Sequence, residues 1–181
     1  MEKLMKCILG ISAMMTITFA VLYQYFNNSF VLSLIITFAT ITYHFLIRLM
    51  VGGVCSFFMK NKADYTKCWF RVGDREWNFY KIIKVKKWKG KMPTYNKDTF
   101  DITKHTWDEI LQATCQSELV HEVNVVFSFL PIIASIWVGA FEVFFITSIL
   151  SAVFDLMFVF MQRFNRTRIM KMQRKVYKLK K

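Results

Sequence analysis

The stretch from Val125 to Met161, VVFSFLPIIASIWVGAFEVFFITSILSAVFDLMFVFM, decides the fold, and its only charged residues are Glu142 and Asp155. About 20 apolar residues cross a hydrocarbon core of roughly 30 Å, so this stretch is too long for one crossing. The small residues of Trp137-Val-Gly-Ala140 suit a turn, which divides it into two spans, the first extending upstream to about Leu119. Working outward, the block from Cys7 to Phe26 has no charge, and that from Phe30 to Met50 holds only His44 and Arg48. The chain is 181 residues long and 55% hydrophobic, more apolar surface than a soluble domain of that size buries. These observations predict an all-α membrane protein with four transmembrane helices, at about 7–26, 30–50, 119–136 and 140–161. They form a single integral membrane domain over residues 1–181, with a basic, partly membrane-surface cytoplasmic loop at about 60–107 and a basic cytoplasmic tail at 163–181. Lys3 and Lys6 precede the first block as in a signal peptide, but no small-x-small cleavage site follows before Tyr23, so the block is expected to be retained.

Charge orients the spans. Of the 25 basic residues, 2 precede the first span, 13 lie between Lys60 and Lys104, and 9 follow from Arg163; only Arg48 falls elsewhere. The linkers 27–29 and 137–140 carry none, so the positive-inside rule predicts a multi-pass protein of the cell membrane with both termini and the central loop in the cytoplasm. A net charge of +13 flanking membrane spans, with no nucleic-acid motif, points to membrane lipids, anionic headgroups included, and away from nucleic acid.

Within the central loop, Trp77 to Trp88 reads WNFYKIIKVKKW, interleaving rings and aliphatics with lysines as a segment lying in the headgroup region would. Its apolar pattern fits neither the helical nor the strand period, so a short helix and an extended stretch both remain open. A lid or side wall over the polar groups is its expected role. Thr106 and Glu109 have the spacing of a capping box, which predicts a helix starting near Trp107 and running into the third span. Cys7, Cys55, Cys68 and Cys115 show neither metal-ligand spacing nor a disulfide framework, and are read as reduced thiols.

Ionised side chains cost roughly 2.5 to 3.5 kcal/mol at a transmembrane helix centre, so Glu118, Glu122, Glu142 and Asp155 in or beside the last two spans call for partners or a function. Glu118, His121 and Glu122 share one helical face at the cytoplasmic entry of the third span. Gln162, Arg163, Asn165, Arg166 and Arg168 lie at the cytoplasmic exit of the fourth, and Arg48 with His44 approaches the same leaflet from the second. A titratable base, an orienting carboxylate and cationic donors at one level suit a site for a polar group at the membrane surface. Charge pairing between helices explains the same pattern without chemistry. Asp155, eight residues before Arg163 and about 12 Å deeper at 1.5 Å per residue, reads as a packing or pocket-floor group. Glu142, beside the outer turn, reads as solvated. A single Glu-x-x-His face, even with His105 and Asp101 as unplaced extra ligands, falls short of the two copies that carboxylate metal sites in bundles use, so no metal is expected. Phosphate loops, nucleophile elbows and zinc-protease motifs do not occur.

Three segments, Phe79-Tyr-Lys-Ile-Ile-Lys-Val-Lys-Lys-Trp-Lys-Gly-Lys-Met-Pro93, Thr114-Cys-Gln-Ser-Glu-Leu-Val-His121 and Gln162-Arg-Phe-Asn-Arg-Thr-Arg168, resemble the glycosyl-4,4'-diaponeurosporenoate acyltransferase family in order and spacing over roughly residues 70 to 170. Glu118, His121, Gln162, Arg163, Asn165 and Arg166 match the family pattern, while Gly90, Ala113, Gln116, Glu122 and Thr167 depart from it. The departures put the acceptor in doubt more than the class. The resemblance implies a membrane acyltransferase moving a fatty acyl group from a cytoplasmic donor, such as acyl-CoA, to a hydroxyl of a lipid or glycolipid acceptor, with no bound cofactor. His121 would act as general base oriented by Glu118. Arg163, Asn165 and Arg166 would hold the donor, with Gln162, Arg48 and Trp88 as further substrate-binding residues. The competing expectation is a non-catalytic accessory protein that binds lipid or a partner. A transporter fits less well, because the polar groups gather at one leaflet and not at the midplane.

Overall fold

The structure, a computed structural model, describes residues 2–88, 92 and 98–179. Gly90, Lys89, Lys91, Lys97, Lys180 and Lys181, named in the resemblance or in the charge pattern, lie outside the described residues. The fold is all-helical, with no strand among the described residues: α1 Glu2–Phe26, α2 Ser29–Met59, α3 Asp74–Ile82, α4 Trp107–Phe127, α5 Leu130–Val138 and α6 Phe141–Leu179. Four helical segments are long and apolar enough to cross a membrane, α4 and α5 together making one of them. The chain is a multi-pass membrane protein. Contacts divide it into two compact units, Met1–Gly52 with Val123–Asp155 and Gly53–Glu122 with Leu156–Lys181.

In the first unit, two asparagines turn the chain between α1 and α2. Asn27 takes a left-handed conformation (φ 40°), and the Asn28 side chain accepts the Phe30 N–H at 2.9 Å, capping α2. Ser12 and Thr42 then hydrogen-bond between the two helices at 3.0 Å, and Phe19 stacks on Phe38 with centroids 5.6 Å apart. The outward side chains of α1 are themselves apolar, Met14 being 70% and Ile17 65% exposed, a surface made for lipid.

The α4–α5 break has a local cause. Pro131 has no N–H to give the Phe127 carbonyl four residues back, and the helix is interrupted between Phe127 and Leu130. The Tyr43 hydroxyl on α2 donates to that carbonyl at 2.9 Å, so the freed oxygen is not left bare in a low-dielectric setting. At the other end of α5, Gly139 (φ 75°) and Ala140 (φ 55°) reverse the chain into α6, and the Gly139 N–H closes on the Ser135 carbonyl at 2.9 Å.

Arg48 is the charged anchor of this unit. Its Nε and Nη2 donate to Asp155 Oδ2 at 3.1 and 2.7 Å, and Nη2 also reaches Ser151 Oγ at 2.8 Å. Ser151 in turn meets Ser128, in the turn between α4 and α5, Oγ to Oγ, at 3.0 Å. Asp155 is 1% exposed, and the Arg48 guanidinium is its charge partner. Asp155→Ala, which strands a buried Arg48, is expected to lower stability by about 3 to 5 kcal/mol, whereas the double change Arg48→Met with Asp155→Leu recovers most of that loss. Thermal unfolding of the purified protein in detergent reads both.

In the second unit, the chain leaves α2 through Lys60 and Asn61, both left-handed (φ 48° and 58°), and the buried Gln116 side chain accepts the Asn61 N–H at 2.6 Å. The Asp64 carboxylate then takes the Thr66 N–H and hydroxyl at 2.9 and 2.7 Å, shaping a loop that leads through a single turn, Cys68–Phe70, into α3. The segment that left helix and extended stretch open is α3 followed by a tight turn, Val85–Lys87. It buries Tyr80 and Val85 against Phe158, Met161 and Phe164 of α6, with Trp77, Ile83 and Trp88 packed around them. Trp77 stacks on Phe164 at 4.9 Å, and Lys171 Nζ sits 4.0 Å from the Trp77 ring centre. The capping box is present: Thr106 N–H donates to Glu109 Oε2 at 2.8 Å, Glu109 N–H donates to Thr106 Oγ1 at 3.3 Å, and α4 begins at Trp107.

Candidate functional site

Glu118 on α4 is fully buried, and a carboxylate without water needs cations. Two arginines of α6 supply them. Arg166, also with no exposed surface, bonds Glu118 Oε2 through Nη1, and Arg163 Nη1 lies 3.3 Å from Glu118 Oε1. Residues 163 and 166 are three apart on a helix, which places both guanidiniums on one face toward α4.

The arginines also gather the loop that follows α2. Arg166 Nη2 donates to the Phe70 carbonyl at 2.6 Å while its guanidinium lies over the Phe70 ring, and Arg163 Nη2 donates to the carbonyls of Trp69 and Arg71 at 3.1 and 3.3 Å. Arg163 Nε pairs with Glu76 on α3 at 2.7 Å, and its Nη1 lies 3.7 Å from Glu122, whose Oε2 accepts the Trp69 indole N–H at 2.8 Å. Three carboxyl groups and two guanidiniums of the described residues therefore share one cluster. The Tyr80 hydroxyl donates to Glu76; burial first, and that carboxylate second, push its pKa upward, so it stays a proton donor through the physiological range.

His121, one turn beyond Glu118, is half-buried with its ring stacked on Phe158 at 4.6 Å and 7°. Phe158 belongs to the same packed group as Trp88. The Gln162 amide donates to Ser117 Oγ at 3.1 Å, and Asn165 is half-buried on α6. Cys115 is buried with Arg166 Nη1 3.5 Å from its sulfur.

Of the residues singled out in the sequence, Glu118, Arg163 and Arg166 are thus in direct contact. Two differences have physical reasons. Arg166, expected at a donor, is enclosed, its donors turned to Glu118 and the Phe70 carbonyl. Arg48, expected level with the Glu118 group, belongs to the other unit. The span to Met50 underestimated α2, which continues to Met59 and leaves Arg48 about 16 Å before the helix end, at Asp155. Glu76, Trp69 and the carbonyls of residues 69–71 escaped the sequence reading. Glu76 had one signal: with Asp64 and Asp74 it is a rare acid in a strongly basic loop.

These features define the class as a multi-pass membrane protein with a buried carboxylate–arginine cluster beside a histidine. Residues 61–175, more than half of the chain and the whole of this cluster, match the family model of glycosyl-4,4'-diaponeurosporenoate acyltransferase, and the chain belongs to that family. No match is found among curated proteins or among solved structures.

The two outer acids differ in burial, and so should their energetics. Glu118→Ala, which leaves Arg166 buried without its carboxylate, is expected to cost about 3 to 5 kcal/mol. Glu122→Ala, at a side chain 22% exposed, costs about 1 kcal/mol or less. Melting of the two variants in the same detergent separates the roles.

Proposed function

We propose that this protein is a membrane acyltransferase that moves a fatty acyl group from an activated donor on the cytoplasmic side to a hydroxyl of a lipid or glycolipid acceptor. The family name points to the sugar of a glycosylated carotenoid as that acceptor. The observation that carries this reading is His121 one helical turn from Glu118, whose carboxyl group two arginines hold in place. His121 takes the proton of the acceptor hydroxyl as the oxygen attacks the acyl carbonyl. The tetrahedral intermediate then expels the carrier, a thiolate if the donor is a thioester, and the imidazolium returns the proton to it. Glu118 orients the imidazole and stabilises its charged form. Arg166 is the positioning residue for Glu118, while Arg163 and Asn165, only half-buried, are the groups placed to meet the donor's oxygens. Gln162 and Trp88 shape the surrounding wall. No resident cofactor enters this scheme.

His121→Ala is expected to lower kcat by about 10² to 10⁴-fold with an unchanged melting temperature. Lipid extracts from cells with and without the gene, and with this variant, are compared for an acylated lipid or glycolipid. Such a product with the wild type and not with the variant supports the reading.

One observation favours a second reading. The two arginines are turned inward to carboxyl groups and backbone carbonyls of the protein itself, as in a structural clasp, and a non-catalytic accessory protein that binds lipid or a partner needs no more than that. Full cellular function with His121→Ala, in a protein that remains inserted, decides for the clasp.

Both termini and the loop between α2 and α4 are assigned to the cytoplasm of the cell membrane, supported by the placement of 24 of the 25 basic residues in those segments. The exposed Phe79 and Ile82 of α3, with the lysines that follow it, suit a surface lying against anionic lipid. Reporter fusions after Lys104 and after Lys181 are expected to be active only as cytoplasmic reporters; an external C-terminus overturns the orientation.

A further inference from the structure

Beside the carboxylate cluster, the loop after α2 borders an open cleft of about 410 Å³ whose lining includes Met59, Lys62, Ala63, Lys67, Phe70 and Leu119. A second cleft of about 350 Å³ adjoins it, sharing Lys62, Ala63 and Asp64, so the two form one groove. The larger part lies within the range of about 300 to 1,000 Å³ typical of ligand sites. Its floor is apolar: Met59 from α2, Ala63 and Phe70 from the loop, Leu119 from α4. Its rim carries two exposed ammonium groups. The one rim carboxylate, Asp64, is turned to the Thr66 N–H and hydroxyl, whose hydrogen bonds hold its pKa low, with Lys67 a lesser influence. Trp69 is 63% exposed, its indole fixed by the hydrogen bond to Glu122.

We infer that this groove, a site separate from the charge cluster, binds the phosphate-bearing carrier of an acyl thioester, with Lys62 and Lys67 on the phosphates and the Met59–Phe70–Leu119 floor under the adjoining chain. The inference rests on the acyltransferase reading. A neutral sugar acceptor has no use for two ammonium groups above an apolar floor, whereas an anionic amphiphile needs both. The groove is also joined to the reacting residues through the backbone. Leu119 follows Glu118 on α4, and the carbonyls of Trp69 and Phe70 are held by Arg163 and Arg166. The same phosphate-and-chain chemistry occurs in a phospholipid, and the probes below separate the two sources.

The full chain in phosphatidylcholine nanodiscs is titrated at low salt with three probes: the non-hydrolysable thioether of palmitoyl-CoA, CoA without a chain, and phosphatidic acid. The thioether is expected to bind at least about tenfold more tightly than either of the others. Lys62→Gln with Lys67→Gln weakens it by about tenfold or more and flattens its salt dependence, and Leu119→Trp, which fills the floor, weakens it comparably. Unchanged thioether affinity in both variants overturns the site, and phosphatidic acid competing as well as the thioether overturns the soluble-carrier assignment. The two readings fail separately. Acyl transfer with an unaltered donor KM in the variants removes the groove and keeps the activity, whereas binding lost in the variants with no transfer by the wild type keeps the groove and removes the activity.

Discussion

The pairing of Glu118 with Arg166 is the constraint around which the second unit is built. Neither side chain has any exposed surface, and two such charges are tolerable only if each meets the other and the remaining donors find acceptors. Arg166 Nη2 takes the Phe70 carbonyl, and Arg163 extends the network to the carbonyls of Trp69 and Arg71 and to Glu76 on α3. A loop with little regular structure is thereby positioned by side chains of α6. The order of the site is thus electrostatic before it is hydrophobic. The aromatic packing of Trp77, Tyr80 and Trp88 against α6 then closes the side that the charges leave open.

The first unit handles its charge differently. There, one arginine and one aspartate are joined through serines, Ser151 and Ser128, which add hydrogen bonds without adding charge. Its pair is neutral overall, whereas the cluster around Glu118 has an excess carboxyl group.

What the sequence made legible was whatever is settled locally. The capping box at Thr106 and Glu109 follows from a three-residue spacing, and the four spans follow from block length, because a lipid core has a fixed thickness. Glu118, Arg163 and Arg166 were legible because helical periodicity fixes which face each one occupies. The partners on the loop were not, since a backbone carbonyl such as that of Phe70 has no sequence signature and its position depends on the whole path from Lys60 to Gly73. The end of α2 was misread for a related reason: the helix continues through Gly52 and Gly53 to Met59, and apolar blocks measure the membrane, not the helix. The groove lined by Lys62 and Lys67 was invisible for the same cause as the carbonyls, its walls coming from three separate segments.

The Tyr43 bond to the Phe127 carbonyl has a mechanical consequence. A proline-broken helix is ordinarily a place to bend, because the missing hydrogen bond leaves the backbone slack. Here a neighbouring helix supplies the lost donor, so the discontinuity before Pro131 is a welded joint and not a hinge. Tension applied to α5 has a path sideways into α2 through the Tyr43 hydroxyl. Tyrosine and proline at these two positions therefore form one mechanical part made from residues 88 apart in the chain.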